Sequence, residues 1–407
     1  MIKKLIIDFG LGYTKVGFGT DSEPIKIIPT PSLFNLEEFF TEKAENLNIL
    51  SYIQKNTKKT LEIEEFACNI INDALQIYKT DPKYMYYCYI LFDLDLKENF
   101  HEIFFAFIKY LYETFSFIAS IKIIPKNFFP VFVSGFYSGI ILDSGYAFST
   151  ITVVNNGITV SSKKVGYGSC DMQRFLYGYI LNDVIQGKNG KKMDEKNLEI
   201  FKKNLVKYMD DIMVRISYIL NRKVSQEYKL EQQQKESDSD KNEKNKEKEY
   251  LVGFYEDIPN FNIDFNTRVI LGEKIFGENN EKNFAYLILK SMKEDVPCEI
   301  RRKIGSNIIL SGGITMLNGF YQRFLDEIKY ISENNKEFER LKGIKNDIRV
   351  HKIIYPRNII TWVGASLFLT FCRFNFPGNE INRIIEDKRE KKLDTDELTK
   401  FLDNLRI

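Results

Sequence analysis

Two widely separated stretches of this chain are written in nearly the same letters: Leu5-Ile6-Ile7-Asp8-Phe9-Gly10 and Ile140-Ile141-Leu142-Asp143-Ser144-Gly145. Each is an unbroken apolar run that reaches Asp and then, after one intervening residue, Gly. An apolar run of this length between turn signals reads as a strand buried on both faces. A second strand follows each copy, Tyr13 to Phe18 after the first and Ser149 to Val154 after the second. Behind the second copy, Asn155-Asn156-Gly157 marks a turn, and Ile158 to Ser161 a further strand. The chain therefore contains an internal repeat of strand, Asp-x-Gly turn and strand, and its fold must place two such hairpins.

Between and after the copies the pattern alternates helix with strand. Residues 61 to 80 carry helical spacing through Ile63, Phe66, Ala67, Ile70, Ala74 and Leu75, and Tyr86 to Phe92 reads as a buried strand. Phe100 to Phe117 reads as an apolar helix. A third strand-and-turn, Asn307-Ile308-Ile309-Leu310-Ser311-Gly312-Gly313, precedes a helix from about Gly319 to Ile331. Trp362-Val363-Gly364-Ala365-Ser366 opens a last buried helix, with small residues suited to close packing. Residues 226–249 are almost wholly Lys, Glu, Gln, Asn, Asp and Ser and are expected to form a disordered insertion, since they bury too little apolar surface to offset ordering entropy. The tail from Asp387 is charged and expected to dock loosely.

A strand that ends in Asp and Gly suits phosphate. Glycine lets backbone N–H groups approach phosphate oxygens without a Cβ in the way. The Asp can hold a divalent ion through its waters. Two such hairpins face to face would clamp a nucleotide tail from both sides, and the Ser311-Gly312-Gly313 turn would close over the nucleoside. A single Asp-x-Gly after a strand is ordinarily a turn and nothing more. Three such elements in this order, each behind an apolar strand, point to a nucleotide cleft.

Composition narrows the field. The chain has 407 residues, enough for two cored lobes, with 44% hydrophobic and 28% charged residues. A net charge of +2 with interspersed signs argues against nucleic acid or an acidic membrane as the main partner. Five scattered cysteines without a CxxC pair and only two histidines argue against a disulfide framework or a zinc site, and for a reduced, cytosolic or nuclear setting. The apolar run at the N-terminus is too short for a secretory signal, and no stretch has the apolar length of a membrane span.

Taken together, these motifs resemble the actin superfamily. Leu5 to Phe18, with Lys15 and the closing Gly17-Phe18, resembles the first phosphate hairpin of actin, and Gly139 to Gly145 resembles the second. Asn307 to Phe320 resembles the adenosine motif, and Trp362 to Ser366 the helix that ends the actin core. The resemblance implies an α/β, ribonuclease H-like duplicated fold of two lobes with a nucleotide cleft between them. It divides the chain into a first lobe at 1–133, a second lobe at 134–370 containing the insertion 226–249, and a segment 371–407 returning toward the first lobe. It further implies nucleotide contacts from Asp8, Gly10, Leu11, Gly12, Tyr13, Lys15, Asp143, Ser144, Gly145, Gly312, Gly313 and Ile314. The implied cofactor is ATP or ADP with Mg, the metal held through water by Asp8 and Asp143.

A narrower resemblance rests on Tyr146 in place of a second Asp, on Leu289 to Met292 with Pro297 to Lys303, and above all on Asp326 to Ile331 with Ile348 to His351. These are similar to the actin-related proteins at the pointed end of the dynactin filament. Only Ser32 to Leu61 separates the first hairpin region from the next helix, short for the polymerisation-loop subdomain of actin.

The departures bear on catalysis. Carried over position by position, the water-orienting Gln of actin falls on Lys126 and its His on Thr150. The phosphate-contacting Ser falls on Leu11, and an adenine-contacting Lys-Glu pair on Met213 and Val214. Hydrolysis needs a positioned water and a group to orient it, and these substitutions remove such groups. The resemblance then implies a non-catalytic subunit, cytoplasmic and cytoskeletal, with actin-like filament subunits and dynactin pointed-end subunits as partners in dynein-driven transport. Two rival expectations are a nuclear subunit of a chromatin-remodelling complex and an active ATPase of the same superfold.

Overall fold

The structure, a computed structural model, describes residues 2–30, 36–42, 49, 52, 66–70, 85–93, 107–111, 113–165, 167–185, 194–237, 250–253, 255–277 and 283–371. Among these, the strands form two larger sheets built on one plan. The first holds β1 (Ile2–Asp8), β2 (Tyr13–Phe18), β3 (Lys26–Pro29), β4 (Met85–Phe92) and β5 (Ile118–Pro125) in the order β3-β2-β1-β4-β5. The second holds β6 (Gly139–Ser144), β7 (Ser149–Asn155) and β8 (Ile158–Val165), and is completed by Ile308–Gly312, in the order Ile308–Gly312, β6, β7, β8. In both, a meander of three antiparallel strands gains a parallel neighbour on the side of its first strand. The sequence repeat is thus a repeat of topology, and the chain has the two-lobed, duplicated actin-like α/β fold.

The central strands are buried on both faces, which explains their unbroken apolar runs: Leu5, Ile6, Ile7, Ile140, Ile141 and Leu142 are all fully buried. The β7–β8 hairpin turns through Asn156 and Gly157, both at positive φ (52° and 79°), as a tight hairpin with right-handed strand twist demands.

Two expectations meet a different outcome. The helix Arg222–Ser237 crosses into the stretch expected to be disordered, so 226–237 are helical and only 238–249 lie outside the described residues. Lys, Glu and Gln are strong helix formers. Here they are also anchored: Lys229 pairs with Glu273 at 2.5 Å and the Tyr228 ring lies 5.4 Å from that of Phe265. The chain also returns to the first lobe earlier than 371. The helix Ile360–Phe371 packs on β1, with the fully buried Trp362 donating from its indole N–H to the Ile6 carbonyl at 3.3 Å. Ser366 ties the same helix to the turn after β2 by accepting from Thr20 N–H at 3.2 Å and donating to the Asp21 carbonyl at 3.0 Å. The shortened segment Ser32 to Leu61 lies mostly outside the described residues, as do the tail and much of the stretches 61–80 and 100–117 expected to be helical.

What is described of that segment crosses to the second lobe. The helix Leu36–Thr41 lies against the helix Ser169–Ile185, where the Phe40 ring stacks 5.5 Å from that of Tyr177. Arg174 covers the Phe39 ring at 5.2 Å and donates to the Glu42 carbonyl at 2.6 Å. Asp171 accepts from the backbone N–H of Ile49 at 3.0 Å and of Gly168 at 3.1 Å. Among the described residues, no helix is long and apolar enough to cross a membrane.

Candidate nucleotide cleft

The two Asp-x-Gly turns open onto one cavity of about 450 Å³ between the sheets. Asp8 is the last residue of β1 and pairs in register with Lys15 of β2, whereas Asp143 on β6 pairs with Thr150 of β7. The repeat therefore sets a lysine and a threonine at equivalent places on opposite walls. Eleven of the twelve contacts expected from sequence line this cavity: Asp8, Gly10, Leu11, Gly12, Tyr13, Lys15, Asp143, Ser144, Gly145, Gly312 and Gly313. Ile314 does not. It is fully buried in the core behind Gly313, and Met316 and Leu317 supply the apolar wall instead.

Local geometry fixes the turns. Thr30 braces the first, its hydroxyl donating to the Gly10 carbonyl at 2.6 Å and its N–H to the Gly12 carbonyl at 2.9 Å. In the second, Gly145 N–H donates to the Phe148 carbonyl at 3.0 Å. Ser149 donates its hydroxyl proton to the Tyr167 carbonyl at 3.0 Å, so the Ser144 hydroxyl, 2.9 Å from it, is the donor of that pair. Ser144 is fully buried and offers the cavity backbone, not a free hydroxyl.

The charges are concentrated on the first-lobe wall. Asp8 is 1% exposed; one oxygen lies 2.8 Å from Lys15 Nζ and the other 3.6 Å from Lys126 Nζ. Both lysine side chains are 14% exposed. Burial pushes the Asp8 carboxyl up, but the two ammoniums together outweigh it and hold it below the ordinary aspartate value. Burial likewise pushes Lys126 down, and Asp8 first, then Asp93 and Asp143, outweigh it and hold the ammonium firmly protonated. Sequence reading missed Asp93, Asp210, Asn358 and Thr361 on this lining. Asp93 follows β4 directly, as Gly313 follows the matching strand of the other lobe. That equivalence was the signal that could have found it.

Two contacts join the lobes across the mouth. The Tyr13 hydroxyl donates to Asp210 of the helix Glu195–Ile216, whose other oxygen accepts from Gln173 Nε2 at 2.7 Å. Burial, then that bond to Asp210, pushes the Tyr13 phenol well up. The Tyr146 ring lies against the backbone of Gly12, where a Cβ would come within 2.7 Å of it. Lys126, Thr150, Met213 and Val214 all line the same cavity.

Chemically, two ammoniums beside glycine turns suit an anionic tail. Direct ligation of a divalent cation by Asp8 does not fit, because both oxygens of that carboxylate already face ammoniums. Among the described residues, no group of three or more His, Cys, Asp or Glu converges as a metal site.

Comparison with protein families matches residues 97–375 to the actin family. Among curated relatives, the chain is 22% identical over 400 residues to centractin of Schizosaccharomyces pombe, covering 91% of each chain. It is 21% identical over 415 residues to actin-related protein 10 of Dictyostelium discoideum, covering 89% of this chain and 82% of the relative. A shorter match, 30% identical over 110 residues and 26% of each chain, is to putative actin-29 of Dictyostelium discoideum.

Proposed function

The chain belongs to the actin family, and from that premise we propose that it is a structural subunit that holds a nucleotide without turning it over and closes the pointed end of a short actin-like filament. One observation carries the non-catalytic half: Lys126, at the position where the resemblance places the water-orienting group, is ion-paired to Asp8. An ammonium kept protonated by neighbouring carboxylates cannot accept a proton from water. On the opposite wall, the corresponding group is the buried hydroxyl of Thr150, a poor base. The residues of the cleft are thus equipped to bind and to orient an anionic tail, with Lys15 and Lys126 as fixed positive charges and the glycine turns as N–H donors. They are not equipped to activate water. Losing one such group commonly costs orders of magnitude in rate.

The filament-end half rests on the resemblance of Asp326 to Ile331 and Ile348 to His351 to the dynactin pointed-end subgroup, and on the short stretch Ser32 to Leu61. A subunit with a reduced polymerisation subdomain can dock by one end and offer an incomplete surface at the other. The partners are then actin-like filament subunits and dynactin pointed-end subunits, and the setting is the cytoplasmic cytoskeleton in dynein-driven transport along microtubules.

Two measurements test this reading. Purified chain incubated with radiolabelled ATP is expected to release no phosphate above background, and turnover comparable to actin overturns it. Affinity capture from cell extract with mass spectrometry is expected to recover actin-like filament and dynein-associated subunits. Recovery of chromatin-remodelling subunits in their place overturns the assignment.

A further inference from the structure

Three carboxylates, Asp8, Asp93 and Asp143, and two ammoniums, Lys15 and Lys126, share the lining of the cleft. Lys126 directly follows β5, and its backbone N–H donates to the Phe92 carbonyl at 3.0 Å, which fixes the start of its side chain beside the ends of β1 and β4. Its ammonium reaches Asp8, and it shares the lining with Asp93 and Asp143. Asp8 Oδ1, buried and without a hydrogen bond, has this ammonium 3.6 Å away. Lys15 closes the other Asp8 oxygen at 2.8 Å.

We propose that the cleft binds a nucleoside di- or triphosphate without a divalent cation, the Lys126 ammonium standing as a built-in counter-charge where a metal ion would otherwise be recruited. The charge balance supports this. A metal ion drawn to Asp8 would have to displace or crowd two ammoniums, each of which repels it, and Lys126 already compensates Asp93 and Asp143 beside it, so the ion's dehydration is not offset. A phosphate tail, by contrast, meets two cations already fixed in place, and their pairing with Asp8 leaves further N–H donors of each ammonium to turn toward it. The proposal deepens the nucleotide-holding part of the function argued above and is independent of the filament role.

The test uses the full chain and a fluorescent ADP or ATP analogue, titrated in excess EDTA and in excess magnesium. The affinity is expected to be the same in both within about twofold, and a loss of about tenfold or more on chelation overturns the proposal. Lys126→Gln, which removes the ammonium, is expected to lower affinity in EDTA by about tenfold and to regain it with magnesium. Lys126→Arg, which keeps the charge, is expected to remain indifferent to chelation, and thermal unfolding of each variant establishes that it is folded. Equal behaviour of the Gln variant and the parent overturns the role of Lys126, and absence of binding in both buffers overturns the site. ATP turnover by the parent would sink the non-catalytic reading while leaving chelator indifference to stand or fall by itself.

Discussion

The ring of Tyr146 rests on the backbone of Gly12, so the two phosphate-type turns touch at their tips across the cleft. A Cβ on Gly12 would meet Tyr146 Cδ2 at 2.7 Å and Cγ at 2.8 Å. Gly12→Ala is therefore expected to cost about 1–3 kcal/mol, the usual range for overpacking. In a Tyr146→Ala background most of that cost should vanish, a coupling of about 0.5–3 kcal/mol in a double-mutant cycle read by urea denaturation. Strict additivity would mean that the ring does not bear on the turn.

Asp8→Asn removes the charge shared by Lys15 and Lys126 and leaves two ammoniums side by side. The expected destabilisation is about 3–5 kcal/mol, as for other broken buried pairs. The pH dependence has a definite sign. The Asp8 carboxyl titrates lower in the folded chain than in the unfolded one, so its contribution is present above the ordinary aspartate value and lost as pH falls through the folded value. Lys126 titrates higher when folded, so its contribution is present below the ordinary lysine value and lost as pH rises through the folded one. Denaturant midpoints of parent and variant should stay a constant distance apart near neutrality and converge at both extremes.

Gly312 and Gly313 make a matched pair. Gly312 has φ +89°, and a Cβ there would lie 2.1 Å from the Ser144 carbonyl oxygen. Gly313 has φ −64°, and a Cβ there would meet nothing within 4 Å. Gly312→Ala should cost more than about 2 kcal/mol, because left-handed strain adds to a backbone clash. Gly313→Ala should fall within about 1 kcal/mol of the parent, on the stabilising side, through loss of unfolded-state freedom. Chemical denaturation of the two variants separates them.

Asp171 holds the crossing segment through Ile49, and burial pushes its carboxyl up to about 6. A carboxyl raised on folding makes the folded chain less stable as pH climbs through that value, with the full penalty above about 6 and relief as pH falls toward the ordinary aspartate value. Hydrogen exchange at the Ile49 amide is expected to be slower at pH 5 than at pH 7 once the intrinsic pH dependence is removed, by a few-fold or more. No difference would mean that the carboxyl is not strained by its burial.

Much of the fold was legible because buried strands and glycine turns write themselves into short local patterns. The paired runs at Leu5 and Ile140 gave both sheets their centres, and Asn156-Gly157 gave a hairpin by its φ requirement alone. The helix through 226–237 was not legible, since its stability comes from Glu273 and Phe265, distant in sequence. The cleft was legible where an Asp-x-Gly turn announced it and opaque where lone residues such as Asp93 or Asp210 reach it from strand ends and helix faces. Lys126 was found as a position, but its pairing with Asp8 follows only from the parallel order of β1, β4 and β5.

The seating of Trp362 on β1 has a consequence for how the protein is made. The first sheet is complete in sequence by Pro125, yet the helix that covers Ile6 and Leu91 starts only at Ile360. At about 5–20 residues per second, the ribosome delivers that cover roughly 12–47 seconds after the sheet has emerged. During this interval an apolar face waits in water beside a growing chain. The nascent protein is therefore expected to need that surface shielded during synthesis, and stopping synthesis before residue 360 should yield aggregates, not a free-standing first lobe.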